Sequence, residues 1–316
     1  MSRSAAFQSV LPQANVIPAA THSLKSAIPN WPAPTVASHA ELERLLLDDV
    51  PHGDLTTDAL GIGAATGSMQ FTARDRMVLA LAEDAAAVIE LAGCKVDLRA
   101  NSGTALEPGS PILTARGPAS ALLRSWKVAQ TLIETWSGVA TSARDILDAA
   151  KAVAPQIAVA CTRKNIPGTK RFAVASVKAG GAVMHRLGLS ETVLAFPEHR
   201  AFLGGVPLNE CVERLRRAAP EKRLVVEVTS FEAAIEAAVA GFDVIQAEKF
   251  TPAEIAALVA RMKAMASVWN RPVVAAAGGI NAENVAAYAQ AGADIVVTSS
   301  PYLARPRDVQ VRIDAP

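Results

Sequence analysis

Residues 224–250 read LVVEVTSFEAAIEAAVAGFDVIQAEKF, and this stretch decides the fold class. Two short and almost wholly apolar runs, 224–228 and 244–247, match strands that are covered on both faces of a sheet. The Ala-rich segment between them, 231–240, favours a helix because Ala loses no side-chain entropy on folding. A strand, a helix and a second strand in this order predict a parallel βαβ unit.

The same alternation continues on both sides of this unit. Apolar runs predict further strands at 157–161, 192–195, 273–276 and 295–297, and helices are predicted at 252–268 and 282–291. Repeated units of this kind predict a parallel sheet that closes, or nearly closes, into an α/β barrel.

The first third of the chain has a different pattern. Between residues 67 and 117, short apolar runs alternate with Gly and Pro, which predicts an α+β sandwich with an antiparallel sheet. A helix at 39–47 is predicted before this module, and helices at 119–137 and 142–153 are predicted after it. The alternating segment 308–313 is predicted to return to the module as a strand.

These patterns predict three parts of the chain. Residues 1–35, polar and containing several prolines, are expected to form a flexible tail. Residues 36–140 form the predicted N-terminal sandwich domain, which the C-terminal strand 303–316 joins. Residues 141–302 form the predicted α/β-barrel catalytic domain.

Composition narrows the class of protein. The chain has 31 Lys and Arg against 30 Asp and Glu, so it lacks the basic excess that nucleic-acid binding usually requires. Three widely spaced cysteines, Cys94, Cys161 and Cys211, match no zinc motif and are typical of a reduced, cytoplasmic protein. The sequence has no signal-peptide core and no apolar run long enough for a membrane span. We therefore expect a cytoplasmic protein that acts on small molecules.

Candidate functional residues lie at or just past the ends of the predicted barrel strands, where α/β barrels carry their active-site residues. They are Thr162, Arg163 and Lys164, then Phe196, His199 and Arg200, then Glu227, then Glu248 and Lys249, then Gly278 and Gly279, and finally Thr298, Ser299 and Ser300. Glu227 is singled out because it interrupts an apolar strand, where a charge is costly unless it is paired or used. The Gly278-Gly279 turn precedes a predicted helix and is suited to bind a phosphate group.

A cationic cluster indicates that the ligand is an anion. Its members are Arg163, Lys164, Lys170, Arg171, Lys178, His185 and Arg186. Arg binds carboxylate or phosphate with two parallel hydrogen bonds, and a concave cationic site concentrates anions.

Several motifs occur in a fixed order, and together they resemble the quinolinate phosphoribosyltransferase (nicotinate-nucleotide pyrophosphorylase) family. They are Gly53–Thr57, Ser137–Thr141, Thr162–Lys164 with Pro167-Gly168, His185–Leu189, Glu227-Val228 and Gly278–Ile280. The resemblance implies an N-terminal α/β sandwich followed by an incomplete α/β barrel. It also implies a homodimer or larger assembly with shared sites, and phosphoribosyl pyrophosphate as co-substrate with Mg²⁺.

The resemblance also implies roles for individual residues. It implies that the substrate carboxylates are bound by Arg163, His185 and Arg186, and that phosphate is bound by Lys164. Glu227 and Glu248 are implied at the ribose and the metal. We assign phosphate or substrate binding to the remaining members of the set, Lys170, Arg200, Gly278, Gly279 and Ser299. Lys127 is implied to serve the site of the partner subunit.

Departures from the family pattern resemble its ModD branch, whose members are encoded with molybdate-transport genes. Lys127 stands where the family has Arg, Phe196 stands where it has Lys, and Ala277 stands where it has Ser. These changes imply a different acceptor, because Lys lacks the planar fork with which Arg holds a carboxylate. Two alternatives remain: a housekeeping carboxylating enzyme that uses quinolinate, and a non-catalytic oxyanion-binding protein. Glu227 and Glu248 disfavour the second, because their charges repel anions.

Overall fold

The computed structural model describes residues 34–265 and 271–315. The predicted tail lies outside these residues except for Pro34 and Thr35, and so does the end of the predicted helix 252–268. The described helices are α1 His39–Asp49, α2 Leu55–Leu60, α3 Ala82–Leu91, α4 Ala119–Lys151, α5 Lys170–Ala179, α6 Pro197–Ala201, α7 Leu208–Ala218, α8 Phe231–Ala240, α9 Pro252–Met265 and α10 Val285–Gln290. A 3₁₀ turn spans Ser300–Leu303.

Thirteen strands complete the described structure. They are β1 Thr66–Ala73, β2 Met77–Val78, β3 Lys95–Leu98, β4 Ala105–Leu106, β5 Pro111–Pro118, β6 Ala158–Cys161, β7 Val183–Met184, β8 Val193–Ala195, β9 Leu224–Val228, β10 Val244–Glu248, β11 Val273–Ala277, β12 Ile295–Thr298 and β13 Val309–Asp314. No described helix is long and apolar enough to cross a membrane.

The N-terminal module contains the predicted antiparallel sheet, with the strand order β13-β1-β5-β3. In β1, Met69, Phe71 and Ala73 alternate with more exposed residues and are at most 2% exposed. Phe71 pairs with Leu113 of β5 on one side and with Val311 of β13 on the other. The return of the C-terminal strand to this module is therefore confirmed.

A single long helix, α4, replaces the two helices predicted at 119–137 and 142–153, and that prediction is wrong. Gly138 lies where the break was expected. A Cβ atom at Gly138 would lie 2.3 Å from the carbonyl oxygen of Arg305, so the glycine serves a close contact with the chain that leads into β13. Packing here outweighs the low helix propensity of Gly.

The second sheet has seven parallel strands in the order β7-β6-β12-β11-β10-β9-β8. β7 and β8 are its end strands, so the sheet is a half-barrel rather than a closed barrel. The short strand β7 and the helices α5 and α7 were not predicted. In α7, Cys211 and Val212 are buried on an otherwise polar helix. This amphipathic pattern could have predicted the helix from the sequence.

Alternation along the parallel strands positions the functional residues. Inward-facing side chains fill the half-barrel with an apolar cluster that includes Leu194, Val225, Val244, Ala275 and Val297. Successive side chains of a strand point to opposite faces, so the residue two positions further along faces inward as well. On β9 and β10 these next inward positions are Glu227 and Gln246, and the polar site therefore lies directly above the apolar cluster.

Candidate active site

A cavity of about 650 Å³ opens at the carboxyl ends of the parallel strands, where α/β proteins bind ligands. Its lining residues are Thr162, Arg163, Lys164, His185, Arg186, Leu194, Phe196, Glu198, Glu227, Gln246, Glu248, Lys249, Ala277, Gly278, Gly279, Val297, Thr298 and Ser299. Nine residues that the sequence assigned to the site lie here together: Arg163, Lys164, His185, Arg186, Glu227, Glu248, Gly278, Gly279 and Ser299.

Three other residues assigned to the site do not line this cavity. Lys127 lies on the exposed side of α4, where its Nζ donates to Gln130 Oε1 at 2.8 Å. Lys170 is the exposed first residue of α5. Arg200 donates from Nη2 to the backbone carbonyl of Glu227 at 3.3 Å and is not among the residues that line the cavity.

Glu227 is held by a neighbour that the sequence interpretation missed. Gln246 is its register partner on β10, and Gln246 Nε2 donates to Glu227 Oε2 at 2.6 Å. Gln246 is only 4% exposed. Like Glu227, it is a polar residue inside an apolar strand, so the signal that identified Glu227 applied equally to Gln246.

Glu227 lies in a partly buried and locally acidic environment. Burial raises the pKa of Glu227, and the hydrogen bond from Gln246 opposes that effect. The carboxylates of Glu248 and Glu198 raise this pKa further, whereas the charge of Lys164 lowers it. A cation bound between these carboxylates would relieve their repulsion.

Other residues of the cavity lining are cationic, among them Arg163 and Arg186. Arg186 is 6% exposed, and its pKa is lowered by burial and by the nearby charge of Arg163. The pKa of His185 is lowered by burial and by Arg186, against a smaller opposing effect of Gln246. An anionic ligand would replace the lost solvation of these groups and offset their mutual repulsion.

Phe196 gives one side of the site an apolar surface. The guanidinium carbon of Arg186 lies 5.6 Å from the centre of the Phe196 ring. The ring of His199 stacks on Phe196 with a centroid separation of 5.8 Å. This wall can contact a planar or apolar part of a ligand next to its anionic group.

The Gly278-Gly279 turn has left-handed backbone geometry, with φ of +95° and +72°. A Cβ atom on Gly278 would lie 2.9 Å from Glu248 Oε1 and 2.9 Å from the backbone nitrogen of Lys249, so only Gly fits. The space around Gly279 is open. Backbone at this turn can therefore approach a ligand closely.

The helix after this turn begins later than predicted. α10 starts at Val285, not at residue 282. The side chain of Asn284 accepts from the backbone N–H of Asn281, and the side chain of Asn281 accepts from that of Glu283. The N–H groups of Asn281 and Glu283 are thus bonded to side chains, and phosphate binding at the glycine turn itself stays a prediction.

The cavity supplies too few protein ligands to hold a metal ion alone, so a metal ion bound here would need further ligands from the substrate or from water. Among the described residues, no three His, Cys, Asp or Glu side chains are grouped to hold a metal. Glu227 and Glu248 both line the cavity. Mg²⁺ commonly binds through one or two carboxylates together with substrate phosphates and water. Two glutamates therefore suit an Mg²⁺ that arrives with a phosphorylated substrate.

Comparisons with known proteins agree with this architecture. Residues 54–137 match the model of the quinolinate phosphoribosyl transferase N-terminal domain, and residues 139–312 match that of the C-terminal domain. A relative from Rhodobacter capsulatus named as a ModD pyrophosphorylase is 47% identical over 245 residues, which cover 78% of this chain and 93% of the relative. One of the same name from Pasteurella multocida is 35% identical over 278 residues, covering 88% of this chain and 98% of the relative.

A solved structure extends the comparison to three dimensions. The crystal structure of NadC from Streptococcus pyogenes matches with a TM-score of 0.78 and 25% sequence identity. The match covers 87% of this chain and 96% of that one. Both the antiparallel module and the half-barrel therefore have counterparts in a solved structure.

Proposed function

The chain belongs to the quinolinate phosphoribosyltransferase family and is a phosphoribosyltransferase of the pentosyltransferase class, and on that premise we propose its donor and acceptor. We propose that it transfers phosphoribose from phosphoribosyl pyrophosphate to an anionic acceptor other than quinolinate. The observation that carries this proposal is that the buried Arg186 and the exposed Arg163 and Lys164 line the same cavity as Glu227 and Glu248.

The carboxylates suit the chemistry of phosphoribosyl transfer. The bond between the anomeric carbon and pyrophosphate breaks, pyrophosphate leaves with the electron pair, and a nucleophilic atom of the acceptor bonds to that carbon. Positive charge develops on the ribose ring as the bond breaks. Glu227, fixed by Gln246, and Glu248 are placed to stabilise this charge, and preorganised charges of this kind are a large part of catalysis.

We propose that some of the cationic side chains bind phosphate and that others bind the acceptor. We assign phosphate binding to Lys164, to the Gly278-Gly279 backbone and to Ser299, which line one part of the rim. We assign binding of the anionic group of the acceptor to Arg163, His185 and Arg186. Arg186 is the strongest candidate for two parallel hydrogen bonds, because it is buried and held in place beside Phe196.

We propose Mg²⁺ as the cofactor, held by Glu227 and Glu248 together with phosphate oxygens. When bound, the ion would neutralise charge on the leaving pyrophosphate. Burial and, to a smaller extent, the charges of Glu248 and Glu198 raise the pKa of Glu227, and a divalent cation bound there would favour the ionised carboxylate, which supports this assignment.

Two residues argue for a changed acceptor. Phe196 adds an apolar wall at a position where the resemblance leads us to expect a cation, and Lys127 lacks the guanidinium fork. Both changes disfavour a small dicarboxylate such as quinolinate. The names of the relatives support a link to molybdate metabolism, which we propose as the setting of the reaction.

Lys127 also supports a dimer. It lies on α4, away from the cavity of its own chain, with its Nζ 3.9 Å from the centre of the Trp126 ring. We propose that two chains associate so that each Lys127 approaches the cavity of the other. The oxyanion-binding alternative is less well supported, because molybdate alone would meet Glu227 and Glu248 as repelling charges.

A quinolinate assay tests the choice of acceptor. Wild type mixed with phosphoribosyl pyrophosphate, Mg²⁺ and quinolinate should release little or no pyrophosphate. The double variant Phe196→Lys with Lys127→Arg should bind quinolinate more tightly than wild type, by roughly tenfold or more. Lys151→Arg, near the end of the same helix, is the matched control and should change nothing. Wild-type turnover of about one per second or faster would overturn the assignment and favour the housekeeping alternative.

A further inference from the structure

Gln246, one of the residues that line the cavity, carries a side-chain oxygen that no described residue uses. Its side chain is 4% exposed and lines the cavity on the inward face of β10. Gln246 Oε1 is fully buried and has no hydrogen-bond partner among the described residues. A buried acceptor that is left without a hydrogen bond destabilises the protein.

The orientation of this amide is determined by its neighbour. Gln246 Nε2 donates to Glu227 Oε2 at 2.6 Å. An ionised carboxylate accepts hydrogen bonds and cannot donate, so the NH₂ end of the amide must face Glu227. Gln246 Oε1 is consequently held on the other side, where it can only accept.

One residue of the proposed anion-binding set, His185, lies next to the Gln246 amide. The ring of His185 lies close enough to Gln246 for a hydrogen bond with the amide to raise the pKa of His185, against the larger effects of burial and Arg186, although this contact falls outside strict hydrogen-bond geometry and leaves Gln246 Oε1 unpaired. Arg186 lines the same cavity, and its guanidinium faces Phe196. Gln246 and Arg186 therefore line one cavity in which an anionic ligand would bind.

We propose that Gln246 is a specificity-determining residue whose Oε1 accepts a hydrogen bond from an N–H or O–H group of the acceptor. This inference rests on the proposed function, because it places the acceptor in this cavity. The acceptor is then an anion with a hydrogen-bond donor next to its charged group. A site built to accept a hydrogen bond rejects an analogue that lacks the donor, because the buried oxygen is left unpaired.

Two ligands of nearly the same shape test the proposal. Pyrrole-2-carboxylate carries an N–H group next to its carboxylate, and furan-2-carboxylate carries a ring oxygen at the same place. By titration calorimetry, wild type should bind the pyrrole acid about tenfold more tightly than the furan acid, which corresponds to about 1.4 kcal/mol. Equal affinity of wild type for the two acids, or no binding of the pyrrole acid at millimolar concentration, would overturn the proposal.

Variants assign the preference to Gln246. Gln246→Met keeps the approximate volume of the side chain and removes the amide, so the affinity ratio should fall to about one. Glu227→Gln keeps Gln246 but lets its amide turn either way, so the ratio should also fall, and this variant remains informative if Gln246→Met fails to fold. Gln290→Met, on the exposed surface of α10, is the control and should keep the wild-type ratio.

The affinity ratio of the two acids distinguishes this proposal from other roles of Gln246. If Gln246 served only to orient His185, Gln246→Met would weaken both acids equally and leave their ratio unchanged, which would overturn the proposal. Loss of the phosphate site would instead abolish binding of phosphoribosyl pyrophosphate without changing the ratio. A failure of the proposed function and a failure of this inference are therefore distinguishable.

Discussion

At the scale of single residues, the site depends on carboxylates kept close to one another inside a barrel. Glu227 tolerates partial burial because Gln246 donates to it and Lys164 lies near it. The charges of Glu248 and Glu198 act against its ionisation. The ionised state of Glu227 is therefore sensitive to both pH and bound cations.

This balance predicts a pH dependence of binding. Because the pKa of Glu227 is raised, its ionised form is lost at a higher pH than for an ordinary Glu as the pH falls. The affinity for phosphoribosyl pyrophosphate with Mg²⁺ should therefore increase as the pH rises through that pKa. Titrations over a pH series should show a smaller increase for Glu227→Gln than for wild type. The same pH dependence in both proteins would contradict the assigned role.

Lys249 gives a second prediction at this scale. Its backbone has a φ of +61°, and so does that of Leu81 at +56°, but Leu81 is 2% exposed and its burial offsets the strain. The exposed side chain of Lys249 offers no such compensation. Lys249→Asn should raise the free energy of unfolding by up to about 1 kcal/mol, because Asn tolerates left-handed geometry. Lys222→Asn, in ordinary geometry, should not, and a lower melting temperature for Lys249→Asn would count against the argument.

The sequence identified most of the cavity lining but not all of it. Residues that directly follow barrel strands, such as Arg163 and Glu248, were found because strand ends share one rim. Arg200 was assigned to phosphate from its position alone, and its contact with the Glu227 carbonyl joins α6 to a strand 27 residues further along the chain. Such contacts between elements leave no pattern in a single sequence.

At the scale of elements, close packing against α4 depends on glycines. Gly180 ends α5, and a Cβ atom there would lie 2.4 Å from the carbonyl oxygen of Ala140 and 2.8 Å from the Cβ of Ala143. Gly180→Ala should therefore lower the free energy of unfolding by roughly 1–3 kcal/mol, measured by denaturant titration. Gly188→Ala is the matched control, because no atom lies within 4 Å of its added Cβ. Equal midpoints for both variants would show that α5 can shift without cost.

The elements themselves were predictable where one pattern dominated. The strands predicted at 224–228 and 244–247 lie close to those observed. A short apolar run between turn residues is typical of a buried strand. The single helix α4 was missed, because Gly138 looks like a breaker and its contact with Arg305 comes from a distant part of the chain. β7 has only two residues and depends on pairing with β6.

At the scale of the whole molecule, the half-barrel brings the cations and the carboxylates together, and Lys127 lies outside this arrangement. If Lys127 serves a neighbouring chain, the protein must associate. Light scattering at micromolar concentration should give twice the 32.9 kDa mass of the chain, or a higher multiple. A monomeric mass would leave Lys127 without the role proposed for it.

The measurement that tests the central claim most directly is a calorimetric titration of the protein with phosphoribosyl pyrophosphate and Mg²⁺. Wild type should bind, and Lys164→Ala should bind at least about tenfold more weakly, a loss of about 1.4 kcal/mol or more. Lys178→Ala, an exposed lysine of α5 outside the cavity, should match wild type. Absence of heat at millimolar concentration, or equal affinity in all three proteins, would contradict the claim that this cavity is a phosphoribosyl-transfer site.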